Sequence, residues 1–306
     1  MRAVWLKEFG GPEMLLAGEA PDPEPGPGQV LIDVAYANIT FVETQLRAGG
    51  PGPFSPQLPV IPGNGVGGVV IGGADGDLLG ERVVTSLSGS GGYAERVVVP
   101  ASAPFVVPAG LALSHAVALL ADGRTAMALI HAAGIQPGER VLVEAAAGGV
   151  GTLLVQLARA AGATVLGAAG GARKTEVVRD LGAVPVDYSV PGWSSTVDPV
   201  DVVFDGVGGE IGRAAFALTR QGGRFFSYGL VSGAWTPVDE DRGVQVHRGP
   251  LGTPEELRER TAEILRLAAA GEVEPVVGQR FRLEEAAEAH RAIESRRTIG
   301  KTLLIV

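Results

Sequence analysis

The chain has 306 residues, with 25 Lys or Arg against 34 Asp or Glu, a net charge of −9 and no cysteine. The missing cysteine excludes disulfides, thiolate nucleophiles and cysteine-ligated zinc, and the acidic balance without a basic run argues against a nucleic-acid partner. The length predicts two domains.

The first part of the chain is Gly- and Pro-rich with short β-type runs at Arg2–Leu6, Gln29–Tyr36, Gly65–Ile71, Arg82–Ser86 and Ala94–Val99. Turns such as Pro25-Gly26-Pro27-Gly28 and Gly49-Gly50-Pro51-Gly52-Pro53 separate them. This predicts a barrel-like region with one short helix, Phe41–Leu46. From about Leu113 strands and helices alternate. Helices are predicted at Asp122–Ala133, Gly149–Ala161, Ala172–Leu181 and Gly209–Leu218, and strands at Arg140–Glu144, Thr164–Ala168, Val184–Asp187, Val200–Asp205 and Arg224–Tyr228. That order predicts a doubly wound parallel sheet. Thr253-Pro254-Glu255-Glu256 opens a helix running to Ala270, with Thr as N-cap and Pro at the first position. The tail returns to the first style, with strands Val276–Phe281 and Lys301–Ile305 flanking a helix, Leu283–Ser295. The domains are expected at 1–118 with 272–306, and at 119–271.

No apolar run reaches membrane-helix length, because Pro100, Pro104 and Pro108 break the longest one. The start, Met1-Arg2-Ala3-Val4-Trp5, has no signal-peptide core, so a cytoplasmic location without membrane partners is expected.

The most informative segment is Val141-Leu142-Val143-Glu144-Ala145-Ala146-Ala147-Gly148-Gly149-Val150-Gly151. It reads as a buried strand, a turn of small residues and a helix start. Ala146-x-Gly148-x-x-Gly151 is a dinucleotide fingerprint with alanine in first place. A pyrophosphate needs backbone N–H groups at a helix N-terminus and no side chains in its way, and Ala147, Gly148, Gly149, Val150 and Gly151 provide both. NAD binders place an acid at the end of the next strand to bond the ribose 2′-OH. Here that end reads Leu166-Gly167-Ala168-Ala169-Gly170-Gly171, followed by Arg173 and Lys174, which suits the 2′-phosphate of NADP.

With these pieces in view the chain resembles the zinc-free quinone oxidoreductase, ζ-crystallin-like branch of the medium-chain dehydrogenase/reductase superfamily. The resemblance spans nearly the whole chain. Beyond the fingerprint it rests on Asp201-Val202-Val203-Phe204-Asp205-Gly206-Val207-Gly208-Gly209, Gly222-Gly223-Arg224-Phe225, and a tail from Glu284 through His290-Arg291-Ala292-Ile293 to Gly300-Lys301-Thr302. It implies a GroES-like β-rich catalytic domain, a Rossmann domain and an active site in the cleft between them. It also implies a homodimer and NADP(H) as cofactor. Lys174 and Tyr188 then hold the 2′-phosphate, Gly170 takes a place where relatives often carry serine, and Thr125 joins the cofactor residues. Zinc-dependent members carry a cysteine at the place of Thr40 and a His-Glu pair at Asn64-Gly65, with a further ligand near Ala121-Asp122. None of these survives here, so no metal is expected.

The candidate substrate-side residues are Thr40, Glu43, Asn64 and Arg124, with a role for Glu43 as a base ranked behind its reading as a surface charge. Relatives often have asparagine at Thr40, tyrosine near Gln45, and Gly-Leu-Thr-Ala where this chain reads Asp122-Gly123-Arg124-Thr125-Ala126. Thr40 is a candidate donor to a substrate carbonyl. Glu43 is read as a helix surface charge, Tyr93 as a packing residue and His247 as solvated. Trp235 with residues 236–250 is read as a pocket wall or lid. Gly300-Lys301-Thr302 mimics the end of a P-loop but lacks its first glycine, and no hydrolase triad is present. The expected function is NADPH-dependent hydride transfer to an electrophilic small molecule, a quinone or an α,β-unsaturated carbonyl, without metal. A specialised biosynthetic enoyl reductase and an NADPH-binding protein without turnover are the alternatives.

Overall fold

The computed structural model describes residues 1–50, 56–73 and 76–306; residues 51–53 of the turn expected at 49–53 lie outside these. The chain divides into two compact units, Met1–Ala121 with Leu265–Val306, and Asp122–Ile264. The crossings fall at 121/122 and 264/265, against the 118/119 and 271/272 expected. The second falls inside a helix, where no composition change marks it.

The first unit contains β1 (Arg2–Leu6), β2 (Leu15–Glu19), β3 (Gln29–Ile39), α1 (Phe41–Arg47), β4 (Gly65–Gly73), β5 (Arg82–Ser86), β6 (Arg96–Pro100), β7 (Phe105–Val106) and α2 (Leu113–Leu119). β1 and β2 form an antiparallel ribbon. β3 is the organising strand: it pairs antiparallel with β4 and with β6, and with a strand from the chain's tail. Its alternating apolar residues Val30, Ile32 and Val34 face a core shared with Leu6, Val66, Val83 and Val97. Gly67 lets α2 lie close on the sheet, because a side chain there would strike Val117.

The second unit runs α3 (Asp122–Ala133), β8 (Arg140–Glu144), α4 (Gly149–Ala160), β9 (Thr164–Ala169), α5 (Ala172–Asp180), β10 (Val184–Asp187), β11 (Val200–Asp205), α6 (Gly209–Leu218), β12 (Thr219–Ser227), β13 (Gln245–His247) and α7 (Pro254–Ala269), whose last residues belong to the first unit. Its six strands are all parallel in the order β10-β9-β8-β11-β12-β13. This is the doubly wound dinucleotide-binding order, with its switch point between β8 and β11. On one face α5 packs Val178 against Gly167. On the other, Ala215 and Phe216 of α6 cover Leu142, Val203 and Phe225. The expected capping of α7 forms: Glu256 N–H donates to Thr253 Oγ1 at 3.2 Å and Thr253 N–H to the Glu256 carboxylate at 2.8 Å.

The chain then adds β14 (Val277–Arg282), α8 (Ala286–Glu294) and β15 (Lys301–Ile305) to the first unit, β15 pairing with both β14 and β3. Lys301 and Thr302 lie buried in this strand, which removes any phosphate-loop role.

Several expectations need correction. β2, β7, β13 and α2 were not anticipated, β12 starts at Thr219 rather than Arg224, and the expected 283–295 helix opens with a 3-10 turn at Leu283–Glu285. The segment after Trp235, expected as a wall or lid, instead supplies the sixth strand of the parallel sheet. Thr236 Oγ1 ties it to the Asp205 carboxylate at 2.6 Å, and the Arg248 guanidinium lies over the Trp235 ring.

Candidate active site

The dinucleotide cradle is built at the end of β8. Ala145 takes a left-handed φ of 48°, and Gly148 N–H closes the turn on Ala145 C=O at 2.8 Å. Gly148 is the N-cap of α4 and has no side chain to satisfy the helix, so the first-turn N–H groups are presented to an anion. A side chain at Gly151 would strike Ala145 C=O and come within 2.8 Å of Ala146 Cα; one at Gly149 would strike the Asp122 carboxylate. The cradle therefore fits a pyrophosphate for the reason the fingerprint states: backbone donors and no side chains. Asp122 is buried with its carboxylate against Gly149.

The second corner lies at the end of β9. Tyr188 N–H bonds Ala169 C=O at 3.2 Å. Asp187 accepts from Gly171 N–H and from Ser189 N–H, each at 2.9 Å, which keeps its carboxyl below the usual range. These bonds draw the loop after β10 to the start of α5 and set the Tyr188 ring against Gly170, 3.0 Å from where a Cβ would stand. Lys174, half-buried, and Arg173, exposed, lie in the first turn of α5. The structure thus sets Tyr188 against Gly170 beside the cradle's own strand, with Lys174 in the helical turn that follows and no acid at the end of β9.

Arg124 and Thr125 are half-buried in the first turn of α3. Burial lowers the Arg124 guanidinium's hold on its proton.

In the first unit Thr40 and Asn64 meet through Glu43. Thr40 is the N-cap of α1 and Glu43 its third residue, forming a capping box. Glu43 is 3% exposed, so its reading as a surface charge is overturned. One carboxylate oxygen takes Thr40 N–H at 2.6 Å and the Thr40 hydroxyl in a short bond, and the other takes Asn64 N–H at 3.2 Å. Asn64 Oδ1 accepts Gly89 N–H at 2.8 Å. The Thr40 hydroxyl therefore donates to Glu43. Desolvation pushes the Glu43 carboxyl up, opposed by its Thr40 bonds and by Lys301. Behind it Tyr93, fully buried as expected, bonds His290 at 2.9 Å. His247 is exposed, as expected, and stacks on Phe226 with ring centroids 4.4 Å apart.

A further row went unread in sequence. Glu144 ends β8 and Asp205 ends β11, neighbours on one sheet face by register. Asp205 accepts from Val207 and Gly208 N–H and from the Ser227 and Thr236 hydroxyls. Its signal was an acid closing a buried strand just before a glycine turn.

The Zinc-binding dehydrogenase family matches residues 181–304 and the Alcohol dehydrogenase GroES-like domain matches residues 26–109. A 2-haloacrylate reductase of a Burkholderia species is 33% identical over 99% of this chain and 98% of its own. The human quinone oxidoreductase is 32% identical over 100% and 98%. The structure of Escherichia coli quinone oxidoreductase complexed with NADPH superposes with a TM-score of 0.91 at 30% identity, covering all of both chains. A GroES-like unit joined to a Rossmann unit defines a medium-chain dehydrogenase/reductase fold, as the resemblance implied. The chain belongs to the quinone oxidoreductase family of that superfamily and is an oxidoreductase.

Proposed function

We propose that the chain is an NADPH-dependent reductase that transfers hydride directly to a quinone or an α,β-unsaturated carbonyl, without metal. The observation that carries this is the end of β9, where Tyr188 lies against Gly170 and Lys174 opens the next helix: a phenol and a cation follow the strand where an NAD enzyme needs a carboxylate. The α4 first turn holds the pyrophosphate through backbone N–H, and Lys174 with Tyr188, aided by Arg173, holds the 2′-phosphate. Gly149 and Gly151 let the first turn of α4 pack against Asp122 and the Ala145 turn. When bound, the nicotinamide supplies the hydride.

The protein's part is to orient the acceptor, exclude water and stabilise the oxyanion that forms. Thr40, Asn64 and Arg124 are the substrate-side residues. Arg124 supplies positive charge, and Thr40 and Asn64 are held rigidly by Glu43. The places of zinc ligands in other branches carry a hydroxyl, an amide and a glycine, a donor set without thiolate or imidazole. Two relatives support the electrophile class, since a quinone and a 2-haloacrylate are both electron-poor unsaturated acceptors. The proposed form is a cytoplasmic homodimer, and the acidic charge disfavours a nucleic-acid role.

NADPH consumption with 9,10-phenanthrenequinone, an enone, 2-chloroacrylate and an enoyl thioester tests this reading. Turnover with quinone or enone supports it. Turnover with the thioester alone moves the chain to a biosynthetic enoyl reductase, and no turnover with any of them refutes it.

A further inference from the structure

Hydride arrival at carbon leaves an enolate or a hydroquinone anion that must gain a proton. Thr40 as it stands points its own proton away from that task, into Glu43. A capping box needs a carboxylate within reach of the helix N-terminus, not a buried one. Glu43 exceeds that need. It is almost wholly buried, and it reaches Asn64 N–H on a different segment. The groups that face it are few: Lys301 from β15, itself buried, and Tyr93 from the segment before β6, with His290 bonded to the phenol and Arg47 of α1 behind.

We propose that Glu43 is the positioning and proton-loading residue for Thr40. As a carboxylic acid it donates to Thr40 Oγ1, turns the Thr40 proton outward, and re-protonates Thr40 as that proton leaves. This rests on the reading that Thr40 faces the reducible substrate. The step balances. Hydride brings two electrons to the electrophilic carbon. The Thr40 O–H bond breaks as an O–H forms on the substrate oxygen, and the Glu43 O–H breaks as the Thr40 O–H re-forms. Glu43 is left as a carboxylate bonded by Thr40 N–H, the Thr40 hydroxyl and Asn64 N–H, which is the arrangement seen here, and solvent reloads it. NADPH is the only reductant needed. Burial favours the loaded acid, and Lys301 with the three donors favours the discharged anion, so both forms lie within reach of one turnover.

The test uses the full chain with NADPH and an α,β-unsaturated ketone. Glu43→Gln should lower kcat by about 10²-fold, the lower end for general acid catalysis, with KM and NADPH affinity unchanged. The wild type should show an alkaline fall in kcat, and this variant should lack it. Thr40→Val should do the same, Thr40→Ser should restore both rate and pH profile, and the double variant Thr40→Val, Glu43→Gln should be no slower than either single one. A Glu43→Gln enzyme with wild-type kcat and pH profile overturns the proposal while leaving the reductase reading intact. Should that variant misfold, a Thr40→Val enzyme that keeps the alkaline limb overturns it equally. A wild type that consumes no NADPH with any acceptor defeats the reductase reading and this one with it.

Discussion

Glu144 and Asp205 stand side by side on one face of the parallel sheet, at the C-terminal ends of its two central strands, where the strand order reverses. Both are fully buried. Asp205 accepts from two backbone N–H groups and two hydroxyls. Desolvation, and then the Asp205 charge, push the Glu144 carboxyl well above its ordinary range, so it is the protonated partner.

Glu144 should consequently set part of the protein's pH-stability curve. Its folded pKa lies above its unfolded value, so the stability it supports is full below the ordinary carboxyl range and declines as pH rises from there toward the raised value. Glu144→Gln keeps a neutral donor without the ionisation. Urea unfolding should show the variant gaining on the wild type as pH rises from 5 to 9, by roughly 1–3 kcal/mol, the scale of a buried unsatisfied polar group. A difference that does not change with pH would show that Glu144 is ionised throughout.

His290 acts in the opposite direction. Burial lowers its pKa to about 3, and its neutral ring shares a hydrogen bond with the Tyr93 hydroxyl. A histidine held neutral contributes stability that is present above the unfolded pKa of ~6.5 and is lost as pH falls toward 3, at up to about 1.4 kcal/mol per pH unit. Thermal melts between pH 7 and pH 4 should fall more steeply for the wild type than for His290→Gln, whose side chain does not titrate. Parallel slopes would contradict this.

Most of the parallel unit was legible because Val141–Val143 and Val200–Phe204 are continuous buried runs followed by glycine turns and 3.6-period helices. The missed strands lack such a signal. β13 has three residues and one hydrophobic, and β2 reads Leu-Leu-Ala-Gly-Glu with only its first residue buried. α2 was hidden at the end of an apolar stretch broken by prolines. Glu43 was misjudged because its local spacing fits an exposed helix face. Two groups that act on it, Asn64 N–H and the Lys301 charge, lie far along the chain, although Thr40-x-x-Glu43 was a readable capping box. The expected cofactor corner rests on an absent acid and a nearby lysine, both local, while Tyr188 enters through the resemblance.

Lys174 offers the sharpest cofactor prediction. Lys174→Ala removes a charge-assisted contact that only the 2′-phosphate can make, so NADPH affinity should fall by about 1.5–3 kcal/mol while NADH affinity stays at the wild-type value. Fluorescence titration with both nucleotides checks it, and an equal loss for the two would remove Lys174 from the 2′-phosphate site.

The central claim is direct hydride transfer from NADPH to an electrophilic carbon. It is tested by incubating chelator-dialysed protein with NADPH deuterated at the transferring C4 position and an α,β-unsaturated ketone, then reading the product by mass spectrometry and NMR. The account predicts one deuterium on the β-carbon and a rate indifferent to chelation. Product without deuterium, or activity lost on dialysis and restored by zinc, would contradict it.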